Sequence, residues 1–188
     1  PIAAVRRAVI EGDIRVAYLN IGWLGPAARD RDVYAVDVLL YVLGRGRGSR
    51  LVRSIQEGQR LVQQISAGFP TALDPTLFTV FAVTEPDSVG RVEEAILAEI
   101  RAVREQDISD EELRRAKTLL EGEEIVSTHT TRGFATTLGF SATVADLEFA
   151  LTYRDRIRQV TREDVQRVAQ RLLDPQRYAI VVLQPRRR

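Results

Sequence analysis

The spacing of apolar residues predicts a first strand and a first long helix near the start of the chain. Segment 15–24 alternates loosely, is rich in β-branched and aromatic residues and ends at a Gly25-Pro26 turn, so it is predicted to be a strand. Asp30 is expected to cap the helix that follows. That helix spans 33–43 and has a mostly apolar side formed at helical spacing by Val33, Val36, Asp37, Leu40 and Leu43.

A short helix and a pair of strands are predicted next. Ser49 is expected to cap a helix over 50–57. Segments 61–69 and 77–84 are predicted strands, and the turn between them, which runs from Pro70 to Pro75, predicts that they pair as a hairpin. In the first of these strands, the residues predicted to share one side are Leu61, Gln63, Ile65 and Ala67.

The second half of the chain is predicted to be mostly helical. Apolar residues recur every three or four positions over 89–103, and Ser109 with Glu112 forms a capping box that begins another helix. Segment 127–139 is rich in Thr and Gly, and its pattern leaves open whether it is helical or broken. Two further helices over 146–160 and 161–173 precede a final apolar strand over 178–183.

Strands and helices are grouped along the chain and do not alternate strictly. This order predicts an α+β fold, a two-layer sandwich in which the helices pack on one face of a mostly antiparallel sheet. No internal repeat and no linker rich in Pro, Gly or Ser divides residues 1–188, so a single domain is predicted. Because the sequence begins with Pro1 and contains no Met, we expect it to be a segment of a longer or processed chain.

Composition narrows the classes of function. The net charge is +1, which gives no strong field for nucleic acid, and no apolar run approaches the roughly 20 residues of a membrane span. The chain has no Cys, so it has neither disulfides nor thiolate metal sites nor a cysteine nucleophile. The compartment stays open between cytoplasm and periplasm.

Several motifs, in a shared order, resemble one peptidase family. Segment 43–51, Leu-Gly-Arg-Gly-Arg-Gly-Ser-Arg-Leu, resembles its "LGGG-SRL" signature, and 108–117 resembles its "T-x-E-E-L-x-x-A-K" helix. The end of the chain, from Val160 through Asp174-Pro175, is similar to the usual ending. The chain therefore resembles the non-catalytic, C-terminal-type domain of M16 peptidases, the pitrilysin and mitochondrial-processing-peptidase-like family, with the LuxS/MPP-like metallohydrolase fold.

The resemblance implies zinc chemistry that this chain does not carry itself. A catalytic M16 half has an inverted His-x-x-Glu-His motif and a distal Glu, and it faces a second half that is often metal-free. A catalytic zinc site takes about three protein ligands, but this chain has one His, His129, and no Cys. We therefore expect no catalytic or metal-binding residue here. Zinc is expected on a catalytic M16 partner half, in the same chain or in a separate subunit; a homodimer is an additional alternative.

The resemblance also implies candidate peptide-binding residues. Gly44, Gly46 and Gly48 match the family's flexible substrate-handling loop, although a plain helix-to-helix turn with positive φ is the favoured explanation. Their spacing fits neither phosphate-binding glycine motif. In several M16 enzymes the non-catalytic half holds the substrate backbone with an Arg and, seven residues later, a Tyr. Those positions are Gln56 and Gln63 here, which puts direct substrate contact in doubt.

Two functions follow from this resemblance. The first is the non-catalytic half of an M16-type zinc metallopeptidase, which would help to enclose a peptide substrate beside a zinc-bearing half. The second is an M16-like scaffold subunit without a peptidase role, like the core proteins of a respiratory complex. A nucleic-acid-binding module ranks below both because the net charge is only +1.

Overall fold

A computed structural model of the chain describes residues 3–106 and 108–186. Its centre is a five-stranded sheet in the order β1-β5-β2-β4-β3. The strands are β1 Arg6–Gly12, β2 Ala17–Leu24, β3 Val62–Gly68, β4 Leu77–Thr84 and β5 Ala179–Pro185. Strands β1 and β5 pair in parallel and the other neighbours are antiparallel, so the predicted mostly antiparallel sheet is confirmed.

Six long helices accompany the sheet and confirm the α+β class. They are α1 Val33–Leu43, α2 Val89–Glu105, α3 Asp110–Thr128, α4 Thr131–Val144, α5 Leu147–Gln159 and α6 Arg162–Leu172. A π-helix, Val52–Gly58, and a 3₁₀ turn, Pro86–Ser88, complete the helical segments. No helix of the described residues has both the length and the apolar character that a membrane crossing requires.

The alternation of β2 explains which face of the sheet the helices cover. Its residues that point towards the helices are fully buried: Ala17, Leu19, Ile21 and Trp23. Tyr18 and Leu24 point the other way and are exposed. Successive side chains of a strand point to opposite faces, so one face of the sheet is packed and the other is open.

Helix α1 lies at the centre of the fold. It contacts strand β3 and helices α3, α5 and α6, so its side chains are buried around almost the whole circumference. Burying a Leu or Ile side chain fully contributes about 1.5–3 kcal/mol, and Leu39 and Leu43 are both fully buried. Asp37 is buried in the same helix, where a charged residue is unusual.

Two elements differ from the sequence-based expectation or resolve it. Strand β1 was not predicted, because it is an exposed edge strand and pairs with β5 from the other end of the chain. Segment 127–139, which the sequence left open, is mostly helical: α4 begins at Thr131, and the side chain of Thr130 accepts a hydrogen bond from Gly133 N at 3.0 Å.

The predicted caps are partly confirmed. Ser109 and Thr161 form the expected capping boxes. Asp30 is not the capping residue of α1; that position is Asp32, and Asp30 Oδ1 instead accepts a hydrogen bond from Asp32 N at 2.9 Å. The prediction that Ser49 caps the short helix was wrong: its hydroxyl donates to the preceding loop, and the π-helix has no side-chain cap.

Candidate functional site

The glycine loop, residues 44–48, joins α1 to the short π-helix. Gly46 has a φ of 83°, the left-handed region that favours glycine, so the predicted turn with positive φ is found at this residue. Ser49 Oγ donates a hydrogen bond to the carbonyl oxygen of Gly46 at 2.8 Å. The loop is therefore a closed turn with an exposed tip at 45–47.

Gly44 lets the loop approach strand β3 closely. Ala67 N donates a hydrogen bond to Gly44 O at 3.2 Å. A Cβ atom added to Gly44 would lie 2.5 Å from both the main-chain nitrogen and the Cβ of Ala67. Because β3 is an edge strand, this contact covers part of a sheet edge that would otherwise be unpaired.

Gln56 and Gln63 are brought together, but not as a pair of side chains. Gln56 Nε2 donates to the main-chain oxygen of Gln63 at 2.9 Å, and the side chain of Gln63 donates to Glu85 Oε1 at 3.3 Å. The prediction that Gln63 shares a side with Ile65 was wrong. A β-bulge between Val62 and Gln64 shifts the alternation, so Gln63 is exposed while Ile65 is buried.

A cleft of about 500 Å³ lies between the glycine loop, the π-helix and the outer edge of β3. Of the candidate residues, Gly44, Gly46 and Gln56 line it; Gly48 and Gln63 do not. Gly48 lies instead against the guanidinium of Arg115. Sequence reasoning missed the other side of the cleft, which is formed by Ile65, Ser66 and Ala67.

The edge of β3 gives this cleft main-chain hydrogen-bonding groups. Ala67 N points away from β4, towards Gly44, and residues two apart in a strand point the same way. The main-chain groups of Ile65 therefore face the cleft as well. An extended peptide uses such groups when it adds a strand to a sheet edge.

Charged side chains hold the glycine loop and the segment that follows it on α3. Arg45 pairs with Glu123 at 3.0 Å, and Arg50 makes a bidentate pair with Glu112 at 2.7 and 3.0 Å. Burial acts to raise the pKa of Glu112, but the hydrogen bonds from Arg50 and Ser109 outweigh it and lower this pKa to about 2. Glu112 is therefore ionised at neutral pH and fixes the position of Arg50.

The residues of α1 do not fit a family-type zinc site. The helix has no His, and in the described residues no group of three or more His, Cys, Asp or Glu side chains is arranged to hold a metal ion. The one histidine, His129, follows α3 and is exposed, with its Nδ1 against the main-chain oxygen of Val126. It belongs to no metal-binding group among the described residues.

Asp37 is a functional candidate that sequence reasoning did not single out. Asp37 as a whole is 7% exposed, and Tyr153 on α5 donates a hydrogen bond to its Oδ2 at 2.6 Å. Burial raises the pKa of Asp37 to about 7, against the opposing effect of the Tyr153 hydrogen bond. The signal in the sequence was an acidic residue on the apolar side of α1.

Comparisons with known proteins agree with this fold. A protease from Helicobacter pylori of known structure superposes with a TM-score of 0.91 at 22% identity, over 98% of this chain and 45% of that chain. An uncharacterized zinc protease of Streptomyces coelicolor is 28% identical over 172 residues, which are 91% of this chain and 38% of that protein. Subunit 2 of the mitochondrial cytochrome b-c1 complex of Mus musculus is 27% identical over 127 residues, which are 63% of this chain and 28% of that subunit.

These relatives are more than twice as long as the region they share with this chain, which spans 38% of the Streptomyces protein. The family itself is matched directly: residues 3–120 fit the profile of the peptidase M16 inactive domain. That match covers strands β1 to β4, the glycine loop, helices α1 and α2 and the first part of α3. The chain belongs to the peptidase M16 family, as an inactive domain of that family.

Proposed function

We propose that this chain forms the non-catalytic wall of a peptide-enclosing chamber in an M16-type zinc metallopeptidase. The zinc ion and the general base would belong to a catalytic M16 half, either fused to this chain or present as a separate subunit. The observation that carries the proposal is the cleft between the glycine loop and the edge of β3. It offers main-chain groups to an extended peptide, and Gln56 adds an uncharged amide where other members of the family have Arg.

The open face of the sheet is evidence for contact with a large partner. Its exposed apolar side chains, each 37–53% exposed, are Ile10, Tyr18, Leu24, Leu77 and Val181. Several exposed apolar side chains on one face of a sheet are a feature of interaction surfaces. The relatives contain a further polypeptide of about the same size or larger, since this chain spans only 38% and 45% of two of them. We propose that the catalytic half contacts this face.

Photo-crosslinking tests peptide binding at the cleft. A short extended peptide that carries a benzophenone side chain is irradiated with the chain, and the crosslinked residues are mapped by mass spectrometry. We expect crosslinks in 44–47 and 65–67, because these segments border the cleft. Crosslinks confined to other surfaces, or none above the level seen with an unrelated protein, would contradict the proposed peptide contact.

A pair of glutamine variants serves as the matched control for this experiment. Gln56 lines the cleft from the π-helix, whereas Gln64 is exposed on β3 and does not line the cleft. We expect Gln56→Leu to reduce the yield of cleft crosslinks by about threefold to tenfold, the range for one lost hydrogen bond, and Gln64→Leu to leave it unchanged.

A second candidate function is a scaffold subunit without a peptidase role. The similarity to the cytochrome b-c1 complex subunit of Mus musculus favours it. A scaffold needs the open sheet face for assembly but has no use for a peptide in the cleft. The crosslinking experiment therefore separates the two functions, because the scaffold alternative predicts no specific crosslinks at 65–67.

A further inference from the structure

A second cavity, distinct from the cleft at β3, lies between α1, α3, α4 and α5. Its volume is about 310 Å³. Ligand cavities in proteins are typically ~300–1,000 Å³, so this one has room for a single side chain and is too small for most cofactors. Its principal lining residues are Asp37, Tyr41, Leu120, Phe140, Phe149 and Tyr153.

One oxygen of Asp37 is available to a ligand. The residue is 7% exposed, and Tyr153 donates a hydrogen bond to its Oδ2 at 2.6 Å. Oδ1 accepts no hydrogen bond within the described part of the chain, where every fully enclosed side-chain oxygen does have a partner. Oδ1 therefore keeps contact with the cavity that Asp37 lines, and it presents an unpaired acceptor there.

The charges around the cavity favour a cation. Glu123 and Glu124 also line it, but Glu123 is paired with Arg45 at 3.0 Å and Glu124 with Arg154 at 2.6 Å. No Arg or Lys of the described chain lines the cavity. Asp37 is thus its one carboxylate without a cationic partner, and a buried carboxylate is costly unless it is paired.

The walls of the cavity select the form of that cation. Tyr41, Phe149 and Tyr153 supply aromatic surface, and a planar guanidinium stacks on aromatic rings better than a strongly hydrated ammonium does. We propose that the cavity binds a basic side chain of a peptide, with arginine preferred over lysine, through an ion pair with Asp37. This proposal rests on the proposed function, which supplies the peptide, but the chemistry of the cavity does not depend on that function.

Proton linkage is the signature that separates this role from a purely structural one. Burial raises the pKa of Asp37 to about 7, so part of the population is protonated at neutral pH. A cation favours the ionised form, so binding at pH 6.5–7 must release a proton. The other groups that face Asp37 do not interfere: Glu123 and Glu124 are paired, and the pKa of Tyr41 and that of Tyr153 are raised by burial.

Isothermal titration calorimetry on the 188-residue chain tests the proposal. The probes are acetyl-Ala-Arg-Ala-amide, its lysine analogue and its citrulline analogue, which has nearly the same shape as arginine but no charge. We expect the arginine peptide to bind at least about tenfold more tightly than the citrulline peptide, the factor for one charged hydrogen bond. Titrations in phosphate and in Tris at pH 7 should give different binding heats, because each buffer takes up the released proton with its own ionisation enthalpy. Equal affinity of the arginine and citrulline peptides would overturn the proposal.

Asp37→Asn keeps the shape of the side chain and removes its charge. We expect this variant to lose the tenfold preference for arginine over citrulline and to lose the proton release. The control Asp155→Asn removes an exposed carboxylate on α5 and should keep the preference and the proton release. Removing a buried charge should leave the chain folded, which thermal unfolding checks; the wild-type proton release tests the proposal even if the variant fails. No binding of any peptide by folded wild-type chain would also overturn it. The crosslinking at β3 uses a different surface, so either result can fail while the other holds.

Discussion

Two carboxylates near α1 have pKa values moved in opposite directions by their surroundings. Asp37 has no cation beside it, and burial raises its pKa to about 7. Glu112 is also desolvated, but Arg50 and Ser109 bind it and lower its pKa to about 2. The difference lies in the partners, a tyrosine hydroxyl in one case and a guanidinium in the other.

The Arg50–Glu112 pair should make stability depend on pH in the acid range. The folded pKa of Glu112 lies below the ordinary value of 4.5, so its contribution is complete above that value and is lost as the pH falls towards about 2. We expect Glu112→Gln to lower the free energy of unfolding by about 2 kcal/mol at pH 7, with a smaller difference below pH ~4. Urea unfolding at several pH values measures it.

Glu111→Gln is the matched control for this prediction, because Glu111 is the exposed neighbour of Glu112 on the first turn of α3. We expect its free energy of unfolding to change by less than about 0.5 kcal/mol at any of these pH values. An equal effect of the two substitutions at pH 7 would mean that the pair with Arg50 does not stabilise the fold.

The role of a single residue could be predicted from the sequence only where that role depends on its neighbours in the chain. Gln56 was identified because it occupies a position in a recognisable local motif, and it does line the cleft. Asp37 was visible only as an acid on an apolar helix side. Its partner, Tyr153, comes from α5, and no local pattern connects two residues so far apart in the chain.

At the scale of elements, the contact between the glycine loop and β3 requires a residue without a side chain at 44. The Cβ of Gly44→Ala would lie 2.5 Å from main-chain and side-chain atoms of Ala67, so the loop or the strand must move. We expect a loss of roughly 1–3 kcal/mol in the free energy of unfolding, the usual cost of overpacking. Chemical unfolding followed by circular dichroism measures this loss.

Gly122→Ala in α3 is the opposite case, since an added Cβ meets nothing within 4 Å there. Ala favours an exposed helix by about 0.8–1.0 kcal/mol relative to Gly, so this variant should gain stability. If Gly44→Ala were as stable as the wild type, the loop could not lie as close to β3 as described.

Elements with a buried apolar side were predictable, and exposed edges were not. The pattern placed α1 and β4 at the bounds they have, because each has apolar residues at its own period. Strand β1 is exposed along its length and depends on pairing with β5, so its residues carry no pattern of burial. The bulge at Gln63 was likewise invisible, since it arises from pairing with β4.

For the whole molecule, the fold class followed from the order of elements and the family from its motifs, and both are confirmed by the fold and by the match of residues 3–120 to the inactive-domain profile. The single-domain boundary over 1–188 stays a prediction. In the part of the chain that the structure describes, the sheet has an open face with exposed apolar side chains and a cleft at its edge strand β3. Both fit a domain that works against a larger partner.

We propose that this domain contacts peptide without cleaving it. The direct measurement is mass spectrometry of the peptide that co-elutes with the pure chain on gel filtration, after incubation with zinc. We expect intact peptide to co-elute without stoichiometric zinc, because a family-type site needs two histidines and the chain has one. Zinc-dependent cleavage products that a chelator abolishes would contradict a non-catalytic domain, and the absence of any bound peptide would contradict the peptide-contacting wall.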